Sequence, residues 1–133
     1  MRGVDEWGAL LPGQRIAGYE IRSKLGQGGF GIAYDAFNAD IQLRAAIKEF
    51  FPRDMVARSG TAVTVRDGES KGFYERFLGR FVEEARAVAK LRHPNIVSVR
   101  HFERANNTAY LVMDFIDGIN LKAWLDARRG QLS

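Results

Sequence analysis

The chain has 133 residues, 46% of them hydrophobic and 27% charged, which suits one packed globular core and not a disordered, collagenous or low-complexity sequence. Its 20 Lys and Arg stand against 16 Asp and Glu, and the resulting +4 is scattered without a basic stripe, so no nucleic-acid partner is expected. With no cysteine and only His93 and His101, the chain has no disulfide framework, thiolate metal site, cysteine nucleophile or three-histidine metal centre.

Residues 1–18 are punctuated by Gly8, Pro12, Gly13 and Gly18 and read as an N-terminal arm. Asp5 and Glu6 precede any apolar stretch, which is unlike a signal peptide. The longest apolar run, 109–113, is far too short to span a bilayer, so a cytoplasmic location with no membrane segment is expected. Residues 19–25 alternate apolar and polar as a half-buried strand does. A glycine-rich turn at 26–31 leads to a second strand at 32–37, and Asn38-Ala39-Asp40 turns the chain into a third at 43–51, stopped by Pro52. Residues 56–58 and 62–65 flank Ser59-Gly60-Thr61 as a small excursion hairpin.

Residues 73–91 carry the clearest helical period. Phe73, Phe77, Phe81, Val88 and Leu91 form one stripe with Ala85 at its edge, and Arg76, Arg80, Glu83, Arg86 and Lys90 lie opposite. Strands follow at 96–102 and 108–115, joined across Ala105-Asn106-Asn107. Asn120 can cap a short helix bearing Leu121, Trp124 and Leu125 on one face. Nothing obvious covers that face except the arm, whose Trp7, Leu10 and Leu11 are free to fold back either over part of it or over the sheet, so it is expected to favour self-association. Tight turns between the strands imply antiparallel pairing. The expected fold is α+β: a five-stranded antiparallel sheet, one long packed helix and a short C-terminal helix.

Gly26-Gln27-Gly28-Gly29-Phe30-Gly31 matches G-x-G-x-x-G. Three readings compete: a plain hairpin turn, a dinucleotide site, and a flap over the phosphates of ATP. The dinucleotide site needs a helix after the glycines, whereas residues 32–37 have strand character. In the flap, glycines let backbone N–H groups approach the phosphates and Phe30 caps the tip.

Lys48 follows Gly31 by 17 residues within Ala45-Ala46-Ile47-Lys48. It is either an outward surface lysine or an ammonium aimed at phosphates, and an acidic partner would decide. Glu84 lies on the helix's apolar stripe, where a carboxylate is costly unless paired, while Glu83 faces the basic side. Either Glu84 is a solvated stripe edge or its partner is Lys48.

Together the glycine loop, Ala45-Ala46-Ile47-Lys48, Glu84-Ala85, His93-Pro94-Asn95-Ile96-Val97 and Tyr110-Leu111-Val112-Met113-Asp114-Phe115 with Gly118 resemble the N-terminal lobe of a eukaryotic-type serine/threonine protein kinase of the bacterial kind. The resemblance covers 19 to about 129 and implies an arm at 1–18, the lobe at 19–116, and at 117–133 the hinge exit and start of a larger lobe. It implies ATP with Mg2+ or Mn2+ as cofactors and a protein hydroxyl as acceptor. Residues 26–31 would cover the phosphates, Lys48 would contact the α- and β-phosphates, and Glu84 would hold Lys48. Ala33 and Ala46 would roof the adenine, with Met113 as gatekeeper. The backbones of Asp114 and Ile116 would bond the adenine edge, and Asn120 would meet the ribose. Val88 and Val99 would tie the helix to the sheet.

Ala33 departs from the usual valine and should weaken adenine packing by about 1 kcal/mol. The larger departure is the lack of H-R-D-x-x-x-x-N, D-F-G and A-P-E from this sequence; Asp114-Phe115-Ile116 lies too early to serve as D-F-G. The chain alone is therefore expected to bind ATP weakly at best and to transfer no phosphate. The alternatives are a non-catalytic docking module with a kinase-like lobe and, third, a dinucleotide-dependent oxidoreductase.

Overall fold

The computed structural model of the chain describes residues 4–90 and 98–115. Among the described residues eight strands and one helix follow in order: β1 (Arg15–Ile16), β2 (Tyr19–Gln27), β3 (Gly31–Asn38), β4 (Leu43–Phe50), β5 (Val56–Ser59), β6 (Ala62–Val65), α1 (Ser70–Ala89), β7 (Val99–Ala105) and β8 (Thr108–Asp114). The main sheet is antiparallel and runs β1-β2-β3-β4-β8-β7, with β5–β6 as a separate hairpin. The α+β class is as expected, but the sheet has six strands instead of five. The extra strand comes from the arm, where Arg15 and Ile16 pair with Glu20 and Tyr19. Two residues are too few for a period, so only the pairing reveals them.

The registers sort the side chains onto two faces. Ile32 and Tyr34 of β3, Ile47 and Glu49 of β4, and Tyr110 and Val112 of β8 share one face. Ala33, Ala46, Lys48, Phe50, Leu111 and Met113 share the other. Helix α1 packs on the second face, with Phe50 ring centroids 5.4 Å from Tyr74 and 5.7 Å from Phe81. Phe73 does not join this contact, contrary to the expected stripe: it is 53% exposed, with the Arg76 guanidinium over its ring, while Tyr74 is 3% exposed. Tyr74 is drawn inward because its hydroxyl donates to the Asn107 carbonyl beyond β7. The basic side of α1 is exposed as expected. Leu91, residues 96 and 97 of the expected strand, and the short helix of Leu121, Trp124 and Leu125 lie outside the described residues.

The arm and the β5–β6 hairpin cover the first face, as one of the two placements open to the arm. Ala9, Leu10 and Ile16 are buried, and the Leu10 N–H donates to the Tyr34 hydroxyl at 3.0 Å. Gly8 makes this docking possible, since its φ is +90° and a Cβ there would lie 2.6 Å from the Phe51 ring. Beneath the arm lies a charged network that the sequence reading missed. Arg58 grips Glu49 through both terminal nitrogens, at 2.7 and 2.9 Å, and donates to the Gly8 carbonyl through Nε and Nη2. The Tyr34 hydroxyl donates to Glu49 at 2.8 Å. The Glu49 and Arg58 side chains are 0% and 3% exposed. Lys48 and Glu49 are consecutive and so point to opposite faces. A sheet covered on both sides needs a partner for each, and that is the signal that could have found Arg58.

Burial, then the negative charge of Glu49, pushes the Tyr34 and Tyr110 phenols far above the ordinary tyrosine range. Tyr74 is also raised, chiefly by burial. A phenol raised in the folded state stabilises the fold below its unfolded pKa of about 10 and loses that contribution as pH rises toward the folded value. Phenolate absorbance should therefore show Tyr34, Tyr74 and Tyr110 ionising together with loss of the near-ultraviolet dichroism. Ionisation at about pH 10 in a still-folded chain would contradict the buried placement.

Candidate functional site

The glycine turn is a flap between β2 and β3. Gly28 N–H closes on the Gly31 carbonyl at 2.9 Å. Phe51 N–H and Arg53 N–H donate to the carbonyls of Phe30 and Gly29, at 2.9 and 3.1 Å, which continues the β3–β4 pairing into the flap. Two bulges in β2, between Ile21 and Ser23 and between Lys24 and Gly26, twist the strand as it enters. A Cβ on Gly31 would lie 3.1 Å from the Glu49 carbonyl and 3.7 Å from Lys48 Cε, so glycine lets the flap lie directly over the lysine. Added Cβ atoms at Gly26 and Gly29 would meet nothing within 4 Å, which leaves open space beside that backbone.

Lys48 lies under the flap and its ammonium is 3.9 Å from Glu84 Oε1, with the two side chains 27% and 22% exposed. Glu83 turns to Arg86 at 2.9 Å on the outer side of α1. Ala33 pairs with Lys48, and Ala46 with Met113, so the proposed roof, gatekeeper and lysine share one sheet face. All three apolar members are buried. Val88 is buried and Val99 packs at the margin of the core. Phe30 stands 54% exposed at the flap tip and leans on Phe77 of α1, with ring centroids 5.1 Å apart. The tip therefore touches the helix that carries Glu84.

The Asp114 carboxylate is bound by Arg100, and its N–H donates to the Ser98 carbonyl at 3.0 Å. Arg44 holds Asp35 through two bonds, at 3.0 and 2.8 Å, and stacks on Phe115, 3.8 Å from the ring centre. The bond to Asp35 raises the Arg44 guanidinium further. This clasp joins β3 and β4 to the chain leaving β8, and the sequence reading missed it because Asp35 and Arg44 pair only across the hairpin. Ile116 and Asn120 lie outside the described residues. Gln27, at the flap's entry, bonds the arm and not open space: its Nε2 donates to the Trp7 carbonyl at 3.0 Å.

The arrangement sets a cation beneath a glycine backbone, on the sheet face that also carries Ala33, Ala46 and Met113. A divalent metal is another matter. Among the described residues no three His, Asp or Glu side chains converge, so no step is assigned to a metal here. Nor, among those residues, is any helix long and apolar enough to cross a membrane.

The protein kinase domain model matches residues 19–133. The chain is 35% identical over 118 residues to the serine/threonine-protein kinase PknJ of Mycobacterium tuberculosis, covering 89% of this chain and 17% of that protein. It is 32% identical over 119 residues to the serine/threonine-protein kinase PrkC of Bacillus subtilis, covering 89% and 16%. The chain thus spans about one sixth of the length of these relatives. Among solved structures, the apo form of PpkA-294 superposes with a TM-score of 0.77 at 32% identity, covering 81% of this chain and 39% of that one. The kinase domain of Mycobacterium tuberculosis PknI gives a TM-score of 0.54 at 26% identity, covering 82% and 37%. The chain belongs to the protein kinase family, among the bacterial serine/threonine kinases, and its fold is that family's small lobe.

Proposed function

We propose that this lobe, in the cytoplasm, binds ATP under the glycine flap and holds its phosphates for transfer to a serine or threonine hydroxyl of a protein. The observation that carries the reading is the approach of Lys48 to Glu84 beneath the flap, on the face that also bears Ala33, Ala46 and Met113. Lys48 contacts the α- and β-phosphates, and its charge offsets theirs as the γ-phosphoryl group leaves. Glu84 keeps the ammonium from swinging to solvent. Backbone N–H groups of residues 26–31, other than that of Gly28, which closes on the Gly31 carbonyl, lie along the phosphates, and Phe30 excludes water at the tip. Ala33, Ala46 and Met113 form the adenine slot, while the Asp114 and Ile116 backbones and Asn120 meet the adenine edge and ribose.

The lobe positions ATP but supplies no base, because the sequence holds no H-R-D-x-x-x-x-N segment. The base and the ligands for Mg2+ or Mn2+ come from a large lobe. Residues 1–18 act as the arm, 19–116 as the lobe and 117–133 as the way into that large lobe. The 133 residues alone bind ATP weakly, since the adenine has a roof and no floor, and transfer no phosphate.

Amine-reactive labelling of Lys48 read by mass spectrometry tests this. ATP should slow labelling and NAD should not. Equal protection by both would overturn the reading in favour of a dinucleotide site, and protection by neither with the lobe joined to a kinase large lobe would favour a docking module. Radiolabelled ATP with a generic protein acceptor should show no transfer by the isolated chain.

A further inference from the structure

The flap's own sheet leaves Gly26 and Gly29 in open space, yet the flap is held from outside. The arm folds into a tight turn, with the Trp7 and Ala9 N–H groups donating to Asp5 Oδ1 at 2.8 and 2.9 Å and Asp5 N–H donating to the Ala9 carbonyl at 2.8 Å. The other Asp5 oxygen takes the Lys24 ammonium at 2.9 Å. Lys24 also donates to Gln27 Oε1 at 3.2 Å, and the Gln27 amide donates to the Trp7 carbonyl. Across the flap, Arg53 lies over the Trp7 ring, 5.0 Å from its centre, while its N–H bonds the Gly29 carbonyl. One arm turn therefore touches both the strand entering the flap and the segment that pairs with it. The turn is itself anchored by Arg58 on Gly8 and Tyr34 on Leu10.

We infer that residues 5–9 are a strap that sets the position of the glycine flap, with Asp5 and Lys24 as positioning residues for the nucleotide. The inference rests on the reading of the flap as a phosphate cover. Without side chains at Gly26 and Gly29 the flap packs through Phe30 on Phe77 at its tip, and its entry strand has no side-chain packing at Gly26 to choose one height above Lys48. The ring Asp5–Lys24–Gln27–Trp7 supplies that choice from the opposite side of the sheet. Displacement of the arm would then loosen the nucleotide site through Lys24 and the Gln27 side chain, without removing any group that contacts ATP.

Hydrogen exchange of the amides of Gly28, Phe51 and Arg53, each bonded within or onto the flap, reads the strap directly. Asp5→Asn keeps the acceptor for Trp7 and Ala9 but loses the charge facing Lys24, and Lys24→Met removes both of that ammonium's bonds. Each should speed exchange at the three amides about tenfold while α1 and β8 stay protected. The double variant should be no faster than Lys24→Met, and Lys24→Arg should stay near the unmodified chain. ATP protection of Lys48 should need several-fold more ATP in Lys24→Met. Unchanged flap exchange in Lys24→Met, or equal acceleration throughout the sheet, would overturn the strap. Flap exchange that shifts as expected in a chain that ATP does not protect would instead sink the nucleotide reading and leave the strap standing.

Discussion

Arg58→Met should destabilise the lobe by about 3–5 kcal/mol, a large part of the stability of a domain this size. Glu49 is wholly buried, and Arg58 supplies two of the bonds it accepts, with another coming from Tyr34. Without the guanidinium the carboxylate is left in an apolar layer between Tyr34 and Tyr110, and the Gly8 carbonyl loses both its donors. Burial by itself would pull the Arg58 guanidinium down, but the bonded carboxylate more than reverses this, so Arg58 stays charged in the folded state. The cost is mainly that of an orphaned charge, so removing both partners should be far less damaging than the sum of the single changes. Urea denaturation of Arg58→Met, Glu49→Leu and the double variant measures this, with a coupling of at least about 2 kcal/mol expected. Additive losses below about 1 kcal/mol each would mean that water reaches the pair.

The largest effect on activity should come from Lys48. With this lobe joined to a kinase large lobe, Lys48→Met should lower kcat at least about a hundredfold, because a fixed charge on the phosphates is lost in a water-poor site. Glu84→Gln should lower it less, since the lysine remains but is no longer held. Glu83→Gln should change little, because Glu83 points away from the cleft to Arg86. Loss of activity in Glu83→Gln equal to that in Glu84→Gln would mean that α1 rotates in the active enzyme.

Glu84 rather than Glu83 could be set toward Lys48 from the sequence because a 3.6-residue period decides which of two adjacent glutamates shares a face with Phe77, Phe81 and Val88. Strands β2, β3, β4 and β8 were legible for a similar local reason, as period-two or apolar runs ended by turn residues. The hairpin β5–β6 was legible only as a guess, because its two four-residue strands barely establish a period. Strand β1 could not be read at all. Phe73 and Tyr74 show the limit of the helical period. Both are aromatic and adjacent at the first turns, and the choice fell to a hydroxyl partner, the Asn107 carbonyl, 33 residues away.

Local order thus determined the α+β class, the flap, and the order of glycines, lysine and glutamate along the chain, since each depends on residues within one strand or a few turns of helix. Only the tertiary structure decided which face of the sheet would be closed by the arm. Burial of Glu49 against Arg58 and the grip of Asp5 on Lys24 both follow from that closure. The physical reason is that a strand's alternation says which residues face together, whereas what covers that face depends on where a distant segment finds its hydrogen-bond partners.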